Sequence, residues 1–295
     1  RSPSRGLGDV YKRQHYYLEK GVFDMHESKN IGFIGGGMVA EAIIRGLILH
    51  GHDASKIHVS DPSEDRRNIL SILNKKLNVH KKNQEVCDQS DVLIICVKPQ
   101  VFKEAAQSFT AENNEAMIIS VAAGIEIESM MSLFGENSKL CRVMPNTPCL
   151  VGRGVSALIQ SNLTESEIVL ATYIFNSVGK TIWVQNEEWM HSITAVSGSG
   201  PAYFFHMMDL LKNAAMKSGI PEEIAETLSV QTAIGSSQLA LNSADDLVTL
   251  KKKVMSPGGT TEAAFESLDE NDLDQAWDDA IEAARNRSIE LGQSK

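Results

Sequence analysis

Cysteine is scarce in this chain. Its 295 residues include four, Cys87, Cys96, Cys141 and Cys149, and no two form a C-x-x-C pair. That excludes a disulfide framework or a cysteine zinc site, and suits reduced, buried thiols in a cytoplasmic protein. No apolar run approaches the ~20 residues of a membrane span. Positive charge is also short: 28 Lys and Arg stand against 38 Asp and Glu, a formal net charge of -10. The one tight basic cluster, Lys251-Lys252-Lys253, reads as a solvated helix face. A general nucleic-acid binder, which needs clustered cations to neutralise phosphates, is thereby excluded. Repeats and low-complexity stretches are absent. His50 and His52 flank Gly51 and amount to at most a partial metal site, so they read as a solvated loop and no metal centre is expected.

What is present is an ordinary globular composition, 42% hydrophobic and 22% charged, in a chain long enough for one large domain or two modest ones. Residues 1–24 lack the apolar core of a secretory signal and read as an extraneous or disordered leader, with Met25 a natural start. From residue 30 the pattern alternates. Short β-branched runs, IGFIG (31–35), KIHVS (56–60), DVLIICV (91–97), AMIISVAAG (116–124), KLCRVMP (139–145) and KTIWVQ (180–185), are separated by helical segments such as SEDRRNILSILNKK (63–76). Unbroken apolar strands between helices indicate a parallel sheet covered on both faces, an α/β doubly wound arrangement. After residue 185 strand patterns stop. Helices are expected over 201–218, 221–242, 245–253, 260–268 and 271–292, with Pro201 and Pro221 at helix starts. The expected organisation is a Rossmann domain over 25–185 followed by an all-α domain over 186–295.

Two turns stand out chemically. Gly35-x-Gly37-x-x-Ala40 directly follows a strand and opens a helix, the setting a dinucleotide fingerprint requires. Gly35 permits the tight turn, Gly37 admits the pyrophosphate to the helix N-terminus, and Ala40 keeps helix and strand close. At the end of the next strand Asp61 favours NAD by accepting from ribose hydroxyls, whereas Arg66 and Arg67 offer partners for a 2′-phosphate; the residues alone leave both open. The second turn, Ser256-Pro257-Gly258-Gly259-Thr260-Thr261, interrupts the helical half. Its glycines leave their amides approachable, and the helix starting near Thr260 adds orphan N–H groups and the positive end of a dipole, which together suit an anion. The bland alternative is a plain interhelical turn with Thr260 as N-cap.

Five segments, IGFIGGGMVAEA, CVKPQ, RVMPNTPCLVGRG, ITAVSGSGPAYFF and SPGGTTEAAFESL, occur in an order and spacing that resemble the pyrroline-5-carboxylate reductases, from about Ile31 to the C-terminus. The resemblance implies NAD(P)H-dependent reduction of the cyclic imine 1-pyrroline-5-carboxylate to L-proline, with NADPH leaning ahead of NADH. It implies a homo-oligomer of interlocked dimers formed through the helical domain, often a decamer, with each site completed across the dimer. Carried over residue by residue, cofactor binding falls to Gly35, Gly36, Gly37, Met38, Val39, Ser60, Asp61, Asn83, the Val97-Lys98-Pro99 turn, Ala122 and Asn146. Substrate carboxylate binding falls to Ser256, Gly258, Gly259, Thr260 and Thr261, with Thr261 also beside the imine nitrogen. No side chain stands out as a dedicated acid. The chain departs from the family in having Met38 in place of a polar residue, and Leu247 and Lys252 in place of a Pro and part of a basic-acidic pair. A β-hydroxyacid dehydrogenase-like enzyme is the neighbouring reading, but Lys212 and Lys217 lie too far along their helix to serve as its lysine. A non-catalytic dinucleotide-binding regulator is the third, and it gives no role to residues 256–261.

Overall fold

In a computed structural model, residues 28–110 and 116–293 are described; the leader and the candidate start at Met25 lie outside them. The chain divides into two compact units. One runs to Ile193 and takes back the chain from Ile289, and the other is Thr194–Ser288.

The first unit is built on one eight-stranded sheet in the order β3-β2-β1-β4-β5-β6-β7-β8. Its strands are β1 (Ile31–Ile34), β2 (Ile57–Ser60), β3 (Asn78–His80), β4 (Val92–Ile95), β5 (Met117–Ser120), β6 (Leu140–Met144), β7 (Gly154–Ser161) and β8 (Gly179–Trp183). The helices between them are α1 (Met38–Leu49), α2 (Glu64–Leu73), α3 (Asn83–Cys87), α4 (Phe102–Gln107), α5 (Ile127–Phe134), α6 (Glu165–Asn176) and, after β8, α7 (Trp189–Ile193). Side chains alternate across each strand, so one apolar run supplies two cores. Val92 and Ile94 of β4 join Ile31 and Phe33 beneath α1, while Leu93 and Ile95 join Ile34 and Phe102 on the opposite face.

Two features differ from the sequence reading. The sheet is not wholly parallel, because β7 runs antiparallel to β6, Leu140 facing Ser161 and Met144 facing Ala157. The glycine-bearing turn after β6 folds the chain straight back without a crossover helix, so the directions must oppose. Neither β7 nor the three-residue, half-buried edge strand β3 announced itself, since neither is a bare β-branched run. The first unit also extends beyond the composition switch at 185. Glu187 accepts from the Ile127 amide and pairs with buried Arg142 of β6 at 2.7 Å, which ties α7 to the sheet.

His52 also differs from expectation. It is 2% exposed rather than solvated, with Nε2 3.1 Å from the Lys29 carbonyl and Nδ1 3.3 Å from the Tyr173 hydroxyl. Desolvation lowers the His52 pKa below its ordinary 6.5, and desolvation with nearby His80 and Lys56 lowers that of His58. Above about pH 6.5 both rings are neutral whether the chain is folded or not. As pH falls below that value the unfolded chain takes up protons that the folded chain resists, so stability declines. Denaturant midpoints measured from pH 8 downward are expected to be level until about 6.5 and then to fall. Replacing His52 by phenylalanine should flatten part of that fall. The cysteines form no disulfide, and burial raises the thiol pKa of Cys96, Cys141 and Cys149.

The second unit is helical. A π-helical turn, Thr194–Gly198, closed by Ser199 N–H on the Thr194 carbonyl at 2.9 Å, leads into α8 (Gly200–Lys217). Then come α9 (Glu222–Asn242), α10 (Leu247–Val254), α11 (Thr260–Glu270) and α12 (Leu273–Gln293), whose last residues return to the first unit. The Asp246 carboxylate caps α10 through the Thr249 amide. Along α8 and α9 only Gly200, Ala225 and Ser229 are buried, while Phe204, Phe205, Leu210, Ile224, Ile234 and Leu239 are half to two-thirds exposed. A Cβ on Gly200 would meet nothing within 4 Å in this chain. No helix among the described residues is long and apolar enough to cross a membrane.

Candidate active site

The cofactor-binding residues named from the sequence gather at the carboxyl ends of β1, β2, β4, β5 and β6. That edge is where open α/β sheets bind ligands, and the strand order reverses between β1 and β4. Gly35 begins the turn after β1 at φ +90°, and a Cβ there would lie 2.8 Å from the Cys96 carbonyl oxygen and 2.9 Å from Val97 Cγ1. Only glycine allows both the backbone conformation and the approach to the Val97-Lys98-Pro99 turn. Its amide donates to the Ser60 carbonyl at 2.9 Å, locking the turn to the end of β2.

The next residues form an open cradle. A Cβ on exposed Gly37 would meet no atom within 4 Å. Gly37 is the N-cap of α1 and offers no side-chain cap. The first intrahelical bond runs from the Glu41 amide to the Gly37 carbonyl at 2.9 Å. The amides of Met38, Val39 and Ala40 therefore have no intrahelical acceptor. Space without side chains against uncapped donors at a dipole's positive end fits a diphosphate.

Around this cradle the remaining residues take distinct places. Ser60 is buried and its hydroxyl donates to Asn83 Oδ1 at 2.6 Å, while Asn83 Nδ2 donates to Ser108 Oγ at 2.7 Å. Asp61 accepts the Gly36 amide on Oδ2 and the Ser63 amide on Oδ1, each at 2.9 Å. Each of its oxygens thus accepts one backbone amide and keeps a further lone pair at the place where a ribose would ask for one. Ala122 is buried just after β5, and its amide donates to Ser120 Oγ. Asn146 follows β6 and its Oδ1 accepts the Val155 amide at 2.9 Å, which holds the loop between β6 and β7 closed. Lys98 is exposed and Pro99 opens a 3₁₀ turn, Pro99–Val101.

The second turn lies within the helical unit. α10 ends at Val254, and Gly258 at φ +68° turns the chain toward α11, which begins at Thr260 with Gly259 as N-cap. Thr260 is therefore not the cap. The sequence reading gave the glycine amides to an anion, but both already have acceptors. Gly258 N–H donates to Glu262 Oε2 at 2.6 Å and Gly259 N–H to the Ser256 carbonyl at 2.9 Å. The first intrahelical bond joins the Ala263 amide to the Gly259 carbonyl, leaving the amides of Thr260 and Thr261 without an intrahelical acceptor. Glu262 is the participant that the sequence reading passed over. A glutamate three residues after the N-cap is the capping-box signal that could have revealed it.

Comparison with known proteins bears on both turns. Residues 30–124 match the family model described as NADP oxidoreductase, coenzyme F420-dependent, and residues 187–291 match pyrroline-5-carboxylate reductase dimerisation. A pyrroline-5-carboxylate reductase of Pasteurella multocida is 37% identical over 272 residues, covering 90% of this chain and 98% of the relative. The chain belongs to the pyrroline-5-carboxylate reductase family. A second family member, from Pseudomonas aeruginosa, is 38% identical across 89% of this chain and 97% of its own length. Among solved structures, the family member from Coxiella burnetii superposes with a TM-score of 0.85 at 35% identity, covering 90% of this chain and 98% of that one. The Plasmodium falciparum enzyme, solved with NADP bound, gives 0.79 at 29% identity, covering 90% and 99%. As a pyrroline-5-carboxylate reductase family member the chain is an NAD(P)H-dependent oxidoreductase with a Rossmann-type first domain and a helical second one.

Proposed function

We propose that this protein reduces 1-pyrroline-5-carboxylate to L-proline with NADPH or NADH. The observation that carries the reading is similarity over 98% of the length of the Pasteurella multocida reductase, which takes in both turns and the sheet between them. The unit that runs to Ile193 is assigned to the cofactor, and the helical unit, Thr194–Ser288, to substrate and dimerisation.

The chain's own groups suit the chemistry. The substrate is a small anion with an electrophilic C=N bond. Its carboxylate is held at the start of α11 by the Thr260 and Thr261 amides and the Ser256 hydroxyl, where the dipole favours negative charge. Gly258 keeps the approach bare, and the substrate competes with Glu262 for the Gly258 amide. In this reading Thr261 Oγ1 hydrogen-bonds the imine nitrogen, either directly or through the water that protonates it. Bound reduced nicotinamide supplies the hydride. The protein contributes position and charge complementarity. The Met38 and Val39 amides hold the diphosphate, Ser60, Asp61 and Asn83 border the adenosine, and the Val97–Pro99 turn, Ala122 and Asn146 border the nicotinamide side.

Phe204, Phe205, Leu210, Ile224, Ile234 and Leu239 of α8 and α9 are half to two-thirds exposed, and a second copy of the chain is their occupant. A dimer through this face, assembled further into a decamer, is the proposed state.

The test uses the purified chain, pyrroline-5-carboxylate, and NADPH and NADH in parallel, following loss of reduced-nicotinamide absorbance and appearance of proline. Substrate-dependent oxidation with stoichiometric proline is expected. Cofactor binding without oxidation, in a folded oligomer, would overturn the reading in favour of a nucleotide-binding regulator.

A further inference from the structure

Arg66 lies on α2, five residues beyond the point where an adenine ribose would meet β2. In the structure its guanidinium is turned toward the glycine turn. Nε donates to the Gly36 carbonyl, one Nη donates to the Gly37 carbonyl at 3.3 Å, and the same Nη pairs with Glu41 Oε2. Glu41 sits in the first turn of α1, beside the amides assigned to the diphosphate, and its other oxygen is held by Arg45 at 2.8 Å. On the preceding peptide, Asp61 Oδ2 accepts the Gly36 amide. Gly36 is thus gripped at both ends, its N–H by a carboxylate and its C=O by a guanidinium.

Two consequences follow for an anion at the turn. With the Gly36 carbonyl directed to Arg66, and the Gly37 carbonyl shared by the Glu41 amide and Arg66, their negative ends are withdrawn from the side on which the Met38 and Val39 amides open. Arg66 also shares the Glu41 carboxylate with Arg45, so two guanidiniums neutralise the carboxylate in the first turn of α1. Desolvation pushes the Glu41 carboxyl up, but the hydrogen bonds and charges of Arg45 and Arg66 hold it below its ordinary range, so it stays ionised. Arg67 is spent differently: its Nη1 donates to the carbonyls of Asp61 and Pro62 at 2.8 and 2.9 Å.

We propose that Arg66 is a positioning residue for the cofactor diphosphate, acting through the Gly36–Gly37 turn and Glu41, and that it does not read a ribose 2′-phosphate. The inference rests on the assignment of the glycine turn to a dinucleotide, and its test does not depend on which imine is reduced. A planar fork that serves two carbonyls and a carboxylate together is a task lysine cannot reproduce. Neutralising a carboxylate next to a bound polyanion is a second contribution, independent of the first.

Calorimetric titration of Arg66→Met with NADP⁺, NAD⁺ and adenosine 2′-phosphate tests the proposal, with the melting temperature as a check on folding. Both dinucleotides are expected to bind roughly tenfold more weakly, by a common factor, as charge-assisted hydrogen bonds to the turn are lost. Adenosine 2′-phosphate, which lacks the diphosphate, is expected to bind as it does to the unaltered protein. Loss confined to NADP⁺ and adenosine 2′-phosphate would make Arg66 the 2′-phosphate reader and overturn the proposal. Unchanged binding of all three, or equal weakening of all three, would overturn it too. Arg66→Lys carries the same pattern at smaller amplitude if the methionine variant does not fold. If the dinucleotides bind normally to the unaltered protein but no imine is reduced, the functional reading fails while this one stands.

Discussion

Replacing Thr261 by alanine is expected to lower turnover about a hundredfold, the usual scale for losing one preorganised hydrogen-bonding group at a reacting centre. Cofactor affinity should stay where it was. The substitution is clean because of where Thr261 sits. Gly259, not a threonine, is the N-cap of α11, and it makes no side-chain capping bond, so alanine at the second helical position removes no cap. Alanine is also the better helix former. Lost activity would therefore report on the hydroxyl rather than on an unravelled helix. Thr261→Ser, which keeps the hydroxyl, should restore most of the rate. A Thr261→Ala enzyme that turns over normally would remove Thr261 from the mechanism and leave carboxylate binding as the turn's whole role.

Replacing Glu187 by alanine is expected to cost about 3 kcal/mol of stability, the lower end of the range for breaking a buried ion pair by deleting one partner. Arg142 is 5% exposed at its side chain and Glu187 30%. The deletion strands a guanidinium inside the sheet while the Ile127 amide loses its acceptor. The lower end applies because water still reaches Glu187. Guanidinium unfolding monitored by tryptophan fluorescence measures the loss. Exchanging both partners for apolar residues, Glu187→Leu with Arg142→Met, should recover most of it, because the cost lies in the unpaired charge rather than in the absent attraction. If the single and double variants are equally unstable, the contribution of Glu187 is packing and not charge. Arg142 lies on β6 just before the loop that carries Asn146, so the single variant should also weaken cofactor binding.

Much of this architecture is legible along the chain because it depends on local order. DVLIICV can only be a strand buried on both faces, and the fold divides its side chains between two cores residue by residue. GGG between a strand and a helix admits few backbone paths, and Gly35 takes the positive φ expected of such a turn. The end of α10, the turn at Gly258 and the restart at Thr260 stand where Pro257-Gly258-Gly259 marks them. Less legible were the elements whose existence depends on a neighbour. β7 is a strand because β6 lies beside it, and α7 stays with the sheet because Glu187 finds Arg142. His52 reads as a loop histidine until Tyr173, distant in sequence, comes to cover it.

The sequence by itself determined the two-part plan, the glycine turn after β1, the Pro257-Gly258-Gly259 turn and the family, since each rests on residue types at fixed short spacings. Only the tertiary structure decided how the polar groups are shared among those turns. Asp61 and Arg66 each carried an open reading, ribose on one side and 2′-phosphate on the other; folding brings α2 against the glycine turn, where Asp61 accepts the Gly36 amide and Arg66 donates to the Gly36 carbonyl. The Gly258 and Gly259 amides looked available until Glu262 and the Ser256 carbonyl took them. A hydrogen bond has one donor and few acceptors, and which pair forms is settled by distances in space that spacing along the chain does not contain.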